Sequence, residues 1–265
     1  MVPIPDDPSP LRRSILVWGL LLPIAWARPV MARAGEVKVA VAANFTAPMK
    51  RIAEAFERSS GHRVTAAYAS TGKLHAQIAQ GAPFQVLLSA DARTPARLEA
   101  EGHAVPGTRL TYAMGRLALW SRDPGVVDAA GAVLRDERLT RGTRLAIADP
   151  KVAPYGAAAM QVLQRLGLEA RLAPRLVTGQ SIAQAWQFAA TGNASMGFVA
   201  LSQVMEGGRV TQGSAWVVPA DLHDPLLQDA VLLKPGQDHE PARALLRFLR
   251  GDEARRIIRD FGYEP

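Results

Sequence analysis

The sequence twice shows the same local pattern: an apolar strand, then a short turn of small and polar residues, then a helix. The first copy comprises Val37–Val41, the turn Ala42–Thr46 and a helix over Pro48–Arg58; the second comprises Val64–Tyr68, the turn Ala69–Gly72 and a helix over Lys73–Gln80. At the start of a helix, free backbone N–H groups and the positive end of the helix dipole face the same point. Two such starts directed at one point would bind a small oxyanion without any charged side chain.

Apolar runs and helical patterns continue to alternate along the chain. This alternation predicts an α/β fold with mixed, mostly parallel sheets and helices on both faces. Further strands are predicted over residues 86–89, 112–120, 145–148, 197–200, 215–219 and 230–233, and further helices are predicted from residues 94, 155, 181, 241 and 252.

Two segments are long enough to carry the chain between two lobes, namely the predicted strand at 112–120 and the run at 215–233. We expect one lobe to consist of residues 35–114 and 218–265, and the other of residues 115–217. A cleft between two such lobes is a natural place for a ligand.

The first 34 residues have the features of a signal peptide. Arg12 and Arg13 form a short basic region, residues 14–26 are apolar, and Ala32–Ala34 is a small-x-small cleavage site that would leave Gly35 as the mature N-terminus. We therefore expect export to the periplasm. The pattern favours the general secretory (Sec) route over the twin-arginine route, although the paired arginines are compatible with both.

Composition excludes several classes of function. The chain has no cysteine, which rules out disulfides, thiol nucleophiles and cysteine-bound metals. The formal net charge of +7 falls to +5 without residues 1–34, which hold four arginines and two aspartates. The arginines are spread among acidic residues and form no basic run, so the sequence does not indicate nucleic-acid binding. We expect a monomer without a cofactor.

Catalytic and metal-binding patterns are also missing from the sequence. A hydrolase using Ser89 and a histidine is conceivable, but the sequence has no Gly-x-Ser-x-Gly elbow, and Ser89 and Asp91 fit better as a strand end and a helix cap. The histidines lack the spacing of metal ligands; they are His62, His75, His103, His223 and His239. A binding protein is therefore favoured over an enzyme.

The order of several short motifs resembles the family of periplasmic molybdate-binding proteins of molybdate ABC transporters. The matching segments are Val41–Met49, Ser70–Leu74, Gln77–Ile78, Gly81–Pro83, Leu88–Asp91, Leu145–Pro150, Pro154–Gly156, Met196–Val199 and Phe261–Tyr263. The resemblance implies a two-lobed type II periplasmic binding fold that closes on molybdate or tungstate in the cleft. It also implies delivery of the anion to the membrane permease of an ABC importer, with molybdenum present only inside the oxyanion.

The resemblance also implies which residues contact the anion. They are Asn44, Thr71, Tyr155 and Ile182, with Ser70 as a further candidate. At Tyr155 and Ile182 the backbone N–H would be the useful group. Ala200 stands where some family members place a tyrosine that reaches the ligand. A receptor for another oxyanion, such as sulfate or phosphate, is the alternative.

Overall fold

Two five-stranded sheets organise the fold in our computed structural model, which describes residues 34–137 and 142–264. The strands are β1 (Glu36–Ala42), β2 (Arg63–Ala69), β3 (Val86–Leu88), β4 (Leu110–Gly115), β5 (Leu117–Ser121), β6 (Leu145–Ala148), β7 (Leu176–Gly179), β8 (Met196–Ala200), β9 (Met205–Glu206), β10 (Arg209–Val210), β11 (Ser214–Val217) and β12 (Leu226–Leu232). The helices are α1 (Thr46–Ser60), α2 (Thr71–Ala79), α3 (Arg93–Ala100), α4 (Pro154–Arg165), α5 (Glu169–Leu172), α6 (Ile182–Thr191), α7 (Glu240–Leu249) and α8 (Asp252–Asp260).

Each sheet combines a parallel part with antiparallel strands from elsewhere in the chain. The first sheet has the order β2-β1-β3-β12-β4, in which β1 is parallel to β2 and β3, and β12 is antiparallel to β3 and β4. The second has the order β11-β5-β8-β6-β7, in which β6 is parallel to β7 and β8. In both sheets the parallel strands end at the starts of helices, so both direct helix N-termini toward one edge.

The single strand predicted over residues 112–120 is wrong, because the chain forms β4 and β5 there with Arg116 between them. Strand β4 pairs with β12 in the first sheet, whereas β5 pairs with β8 and β11 in the second. Both strands are largely buried, and the exposed Arg116 is the one charged residue between two runs of similar apolar character.

Helices cover both faces of the first sheet, and the alternation of side chains along β1 divides its core. Val37, Val39 and Val41 pack with α1 and the C-terminal helices. Ala40 faces the other way, into a cluster with Leu74 of α2 and Leu98 of α3. The last two helices therefore return to the first sheet, although the chain has meanwhile passed through the second.

Within the described residues, we find no helix with the length and apolar character needed to cross a bilayer. The predicted signal peptide lies almost wholly outside the described residues, which begin at Ala34. Gly35 is anchored: its backbone N–H donates to His62 Nδ1 at 3.1 Å, and its carbonyl accepts from the backbone N–H of Arg63 at 2.8 Å.

Candidate oxyanion site

A small cavity lies where both sheets end. Its lining combines the turn after β1, the turn after β2 and the starts of α4 and α6. The lining residues are Ala42, Ala43, Asn44, Ser70, Thr71, Ala90, Ala153, Pro154, Tyr155 and Ile182. All five residues singled out from the sequence lie in this lining. Ala200 does not belong to it, and is fully buried with its backbone N–H bonded to Gln203 Oε1.

The cavity is small. Its volume is about 10 Å³, which is close to the least space that holds one water molecule. Organic ligands occupy pockets of about 300–1,000 Å³. The cavity is therefore far too small for an organic ligand, and only a compact species has room in it.

Helix starts surround this cavity, and its lining has no charged side chain. Helices α2, α4 and α6 begin at Thr71, Pro154 and Ile182. Among the described residues, we find no acceptor for the backbone N–H of Tyr155 or of Ile182. Three helix N-termini, two of which have such a free N–H, create a positive potential that suits an anion.

Two hydroxyl groups add further donors. Ser70 is 4% exposed, and its hydroxyl is buried without a hydrogen-bond partner in the described chain. Thr71 Oγ1 accepts from the backbone N–H of Ala90 at 3.2 Å, so its hydrogen remains available. An unpartnered buried hydroxyl costs about 1–3 kcal/mol. Its position in the lining therefore points to a ligand as the missing partner of Ser70.

The side chain of Asn44 forms hydrogen bonds to other buried side chains of the protein. Its Nδ2 donates to Gln228 Oε1 at 2.9 Å and to the Tyr263 hydroxyl at 2.9 Å. Ser202 Oγ donates to its backbone carbonyl at 2.8 Å. Both amide hydrogens are used in this way, so a contact from Asn44 to an anion has to come from the backbone N–H. The sequence did not show which group of Asn44 faces the cavity.

Gln228 is a buried residue that the sequence analysis missed. Its Oε1 accepts from Asn44 and from the Tyr112 hydroxyl at 3.0 Å, while its Nε2 donates to the Tyr155 hydroxyl at 3.0 Å. One side chain on β12 thus connects the turn after β1 with the start of α4. The polar pair Gln228 and Asp229 between the apolar residues of β12 was the signal that could have revealed it.

The buried tyrosines around Gln228 stay neutral. Burial raises the pKa of Tyr112 and Tyr155 well above the usual 10.0, and it raises the pKa of Tyr263 to about 12. Unfolded tyrosines lose their protons near pH 10, so this contribution to stability is complete below that pH. It is lost as the pH rises through the folded-state pKa values. At neutral pH the network therefore keeps one protonation state.

Helix α2 contacts the loop after β6 at Gly72, beside the cavity. The backbone N–H of Gly72 donates to the Val152 carbonyl at 2.9 Å. A Cβ at Gly72 would lie 3.0 Å from Val152 Cβ and 3.2 Å from its carbonyl oxygen. This close approach depends on the absence of a side chain, and it joins α2 to the loop after β6.

Ser89 and Asp91 form a helix cap. The Ser89 hydroxyl donates to Asp91 Oδ1 at 3.3 Å, and that same oxygen accepts from the backbone N–H of Thr94 at 2.7 Å. Asp91 thus bonds the first turn of α3 as the sequence predicted, although the N-cap position of this helix belongs to Ala92. In the described part of the chain, histidines and acidic residues form no group of three that could hold a metal ion.

Comparisons with known proteins agree with one another. The family model described as bacterial extracellular solute-binding protein matches residues 37–264. The chain is 55% identical over 232 residues to the molybdate-binding protein ModA of Azotobacter vinelandii, which covers 88% of this chain and 91% of the relative. It is 54% identical over 250 residues to the ModA of Rhodobacter capsulatus, which covers 94% and 92%. A solved structure of the A. vinelandii periplasmic molybdate-binding protein matches with a TM-score of 0.82 at 39% identity, covering 86% of this chain and 99% of that chain.

Proposed function

The chain belongs to the bacterial extracellular solute-binding proteins, and we propose that it captures molybdate between two lobes and delivers it to the permease of an ABC importer. Membership confirms the predicted two-lobed α/β fold class. It also confirms a solute-binding protein rather than an enzyme, because binding and transport are what the family does. The periplasm is the compartment in which such a protein works, and we propose Sec export and a monomeric state.

One observation carries the proposal: the buried Ser70 hydroxyl, which has no partner in the described chain, lies in a small cavity lined by neutral donors. We propose that the anion accepts hydrogen bonds from the hydroxyls of Ser70 and Thr71. Backbone N–H groups of Asn44, Tyr155 and Ile182 complete the set. Charge-assisted bonds of this kind are strong where water is excluded.

Selectivity in such a site comes from size. Molybdate, tungstate and sulfate are all dianions, so charge cannot separate them. Donors spaced for the longer bonds of molybdate contact the smaller sulfate poorly. Tungstate closely matches molybdate in shape, and we propose it as a second ligand.

We assign residues 35–114 and 218–265 to the first lobe and residues 115–217 to the second. The division of the strands between the two sheets supports this assignment. Donors at Asn44, Ser70 and Thr71 then belong to the first lobe, and those at Tyr155 and Ile182 to the second. The anion stabilises the closed form because only closure brings both groups of donors to it.

Calorimetric titration tests the function directly. We expect the mature protein to bind molybdate and tungstate with sub-micromolar Kd at neutral pH and to bind sulfate and phosphate far more weakly. Sub-micromolar sulfate binding without molybdate binding would replace the proposal by the alternative oxyanion receptor.

Mass spectrometry of the exported protein should find Gly35 at its N-terminus.

Removing the hydroxyls should weaken the site by a measurable step. We expect Ser70→Ala and Thr71→Ala each to reduce molybdate affinity by about 1–3 kcal/mol, because each removes one buried donor. Ile182→Val is the matched control, since it keeps the backbone N–H and should bind as the parent does. Full affinity in both alanine variants, measured by calorimetry, would rule out these hydroxyls as ligands.

The contact at Gly72 makes closure sensitive to side-chain size. We expect Gly72→Val to weaken molybdate binding by about tenfold or more, because the added methyl groups separate Gly72 from Val152 and break their hydrogen bond. Gly72→Ala should have a smaller effect. Calorimetry gives the affinities, and small-angle scattering with and without molybdate reports closure. Normal compaction of the valine variant on binding would contradict this role.

A further inference from the structure

A wide groove opens beside the small cavity, at the mouth of the cleft. Its volume is about 470 Å³. It shares Thr71, Ala153 and Pro154 with the lining of the cavity. The contact between Gly72 and Val152 also lines it. An ion in this groove is therefore next to the cavity and beside the contact between Gly72 and Val152.

Unlike the cavity, the groove is lined by acidic and basic side chains. His75, Asp91, Arg93, Arg97 and Lys151 all contribute to it. His75 and Arg97 share the carboxylate of Glu101, at 2.9 and 2.6 Å. Asp91 caps α3 through its hydrogen bonds to Thr94.

In the described chain the side chains of Arg93 and Lys151 contact no carboxylate in this way, although Asp149 Oδ1 accepts from the backbone N–H of Lys151 at 2.9 Å. Within the described residues, neither Arg93 nor Lys151 forms an ion pair, and both side chains are exposed. Arg93 is the first residue of α3, which follows a strand of the first sheet. Lys151 lies in the loop after β6, in the second sheet. Each lobe therefore supplies one unpaired positive charge to the same groove.

We propose that Arg93 and Lys151 form an outer encounter site that attracts the oxyanion to the mouth of the cleft before the neutral donors bind it. The proposal rests on the proposed function. The ligand is a small dianion, such as molybdate, held in the groove by charge alone and still largely hydrated. It then passes into the cavity and loses its water when the lobes close.

Separating attraction from binding has a kinetic consequence. The dipoles of the inner site act over short distances, whereas full charges act over about one Debye length, roughly 10 Å at 0.1 M salt. Charges at an entrance raise association rates by about 10-fold or more at low ionic strength. The bound anion is held by the inner donors, so these cations set the association rate constant and leave the dissociation rate constant to the cavity.

Stopped-flow fluorescence with sodium molybdate measures the association and dissociation rate constants separately and so tests the proposal. Trp186 borders a second groove that also contains Ser70, so it is placed to report binding. We expect the double variant Arg93→Gln/Lys151→Gln to associate about 5- to 20-fold more slowly at roughly 10 mM salt and within about twofold of the parent at roughly 500 mM. Its dissociation rate constant should equal that of the parent.

A matched control separates local charge from net charge. Lys38 and Arg63 lie near the starts of β1 and β2, at the opposite ends of these strands from the cavity. The double variant Lys38→Gln/Arg63→Gln removes the same charge and should associate at the parent rate. An equal loss of rate in this control would overturn the encounter site, as would an unchanged rate in the groove variant. Absence of molybdate binding to the parent protein in calorimetry would instead overturn the proposed function.

Discussion

Gln228→Leu is expected to lower the free energy of unfolding by about 3 kcal/mol. The leucine removes one hydrogen bond from each of three buried groups, namely the Nδ2 of Asn44 and the hydroxyls of Tyr112 and Tyr155. Asn44 Nδ2 keeps its bond to Tyr263, and the Tyr112 hydroxyl keeps its bond to the Ser89 carbonyl, so each loss costs about 1 kcal/mol. Urea denaturation measures the loss. Calorimetry should show weaker molybdate binding as well, because the Gln228 side chain no longer connects Asn44 to Tyr155 by hydrogen bonds.

A second substitution at this position separates stability from site geometry. Gln228→Glu has the same size, and its carboxylate can accept from all three partners. Ionisation of this glutamate would place a negative charge behind the dianion, so molybdate affinity should fall as the pH rises through the pKa of that glutamate. The parent should show no such dependence between about pH 6 and 9, because its buried tyrosines stay neutral there.

Gln85→Glu is the matched control for this pH dependence. Gln85 accepts from the backbone N–H of Lys38, near the start of β1 and away from the cavity. Its glutamate variant should bind molybdate with the flat pH profile of the parent. A flat profile in Gln228→Glu would show that Gln228 does not adjoin the anion.

Gly156→Ala is expected to reduce molybdate affinity by about 100-fold or more. An added Cβ would lie 2.2 Å from the carbonyl oxygen of Ala148 and 3.0 Å from the carbonyl carbon of Asp149. Both are backbone atoms, so helix α4 has to move away from β6. That movement carries the backbone N–H of Tyr155 away from the cavity. Overpacking of this kind also costs about 1–3 kcal/mol of stability.

Gly251→Ala is the control for Gly156→Ala. Gly251 has extended backbone angles and one neighbouring atom, the Phe248 carbonyl oxygen at 3.2 Å. This variant should keep the affinity of the parent in calorimetry and nearly its thermal midpoint. A Gly156→Ala protein with full affinity would mean that the start of α4 does not contribute a donor.

The local sequence pattern was sufficient to predict many of the strands and helices. The strands β1 and β2 and the helices that follow them were predicted because side-chain burial in each depends on its own periodicity. The division between β4 and β5 was not predictable in this way. Arg116 separates two strands of similar apolar character, and only pairing with different partners shows that they belong to different sheets.

In the candidate site, too, residues could be predicted where the signal is local and could not where it depends on distant residues. Asn44, Thr71 and Ser70 stood out because each follows a strand and precedes a helix, a relationship confined to a few neighbouring residues. Gln228 did not stand out, since it lies 184 residues from Asn44 and acts through a hydrogen bond across the fold.

By itself, the sequence determined that this chain is an α/β protein with several polar turns at helix starts, because strand and helix periodicity and turn chemistry are local properties. The tertiary structure decided how those turns are used. It brought the turns into one small cavity, engaged the side chain of Asn44 with Gln228 and Tyr263, and left the Ser70 hydroxyl without a partner. These outcomes depend on which distant strands become neighbours, and hydrogen bonds between distant residues form only after the sheets have assembled.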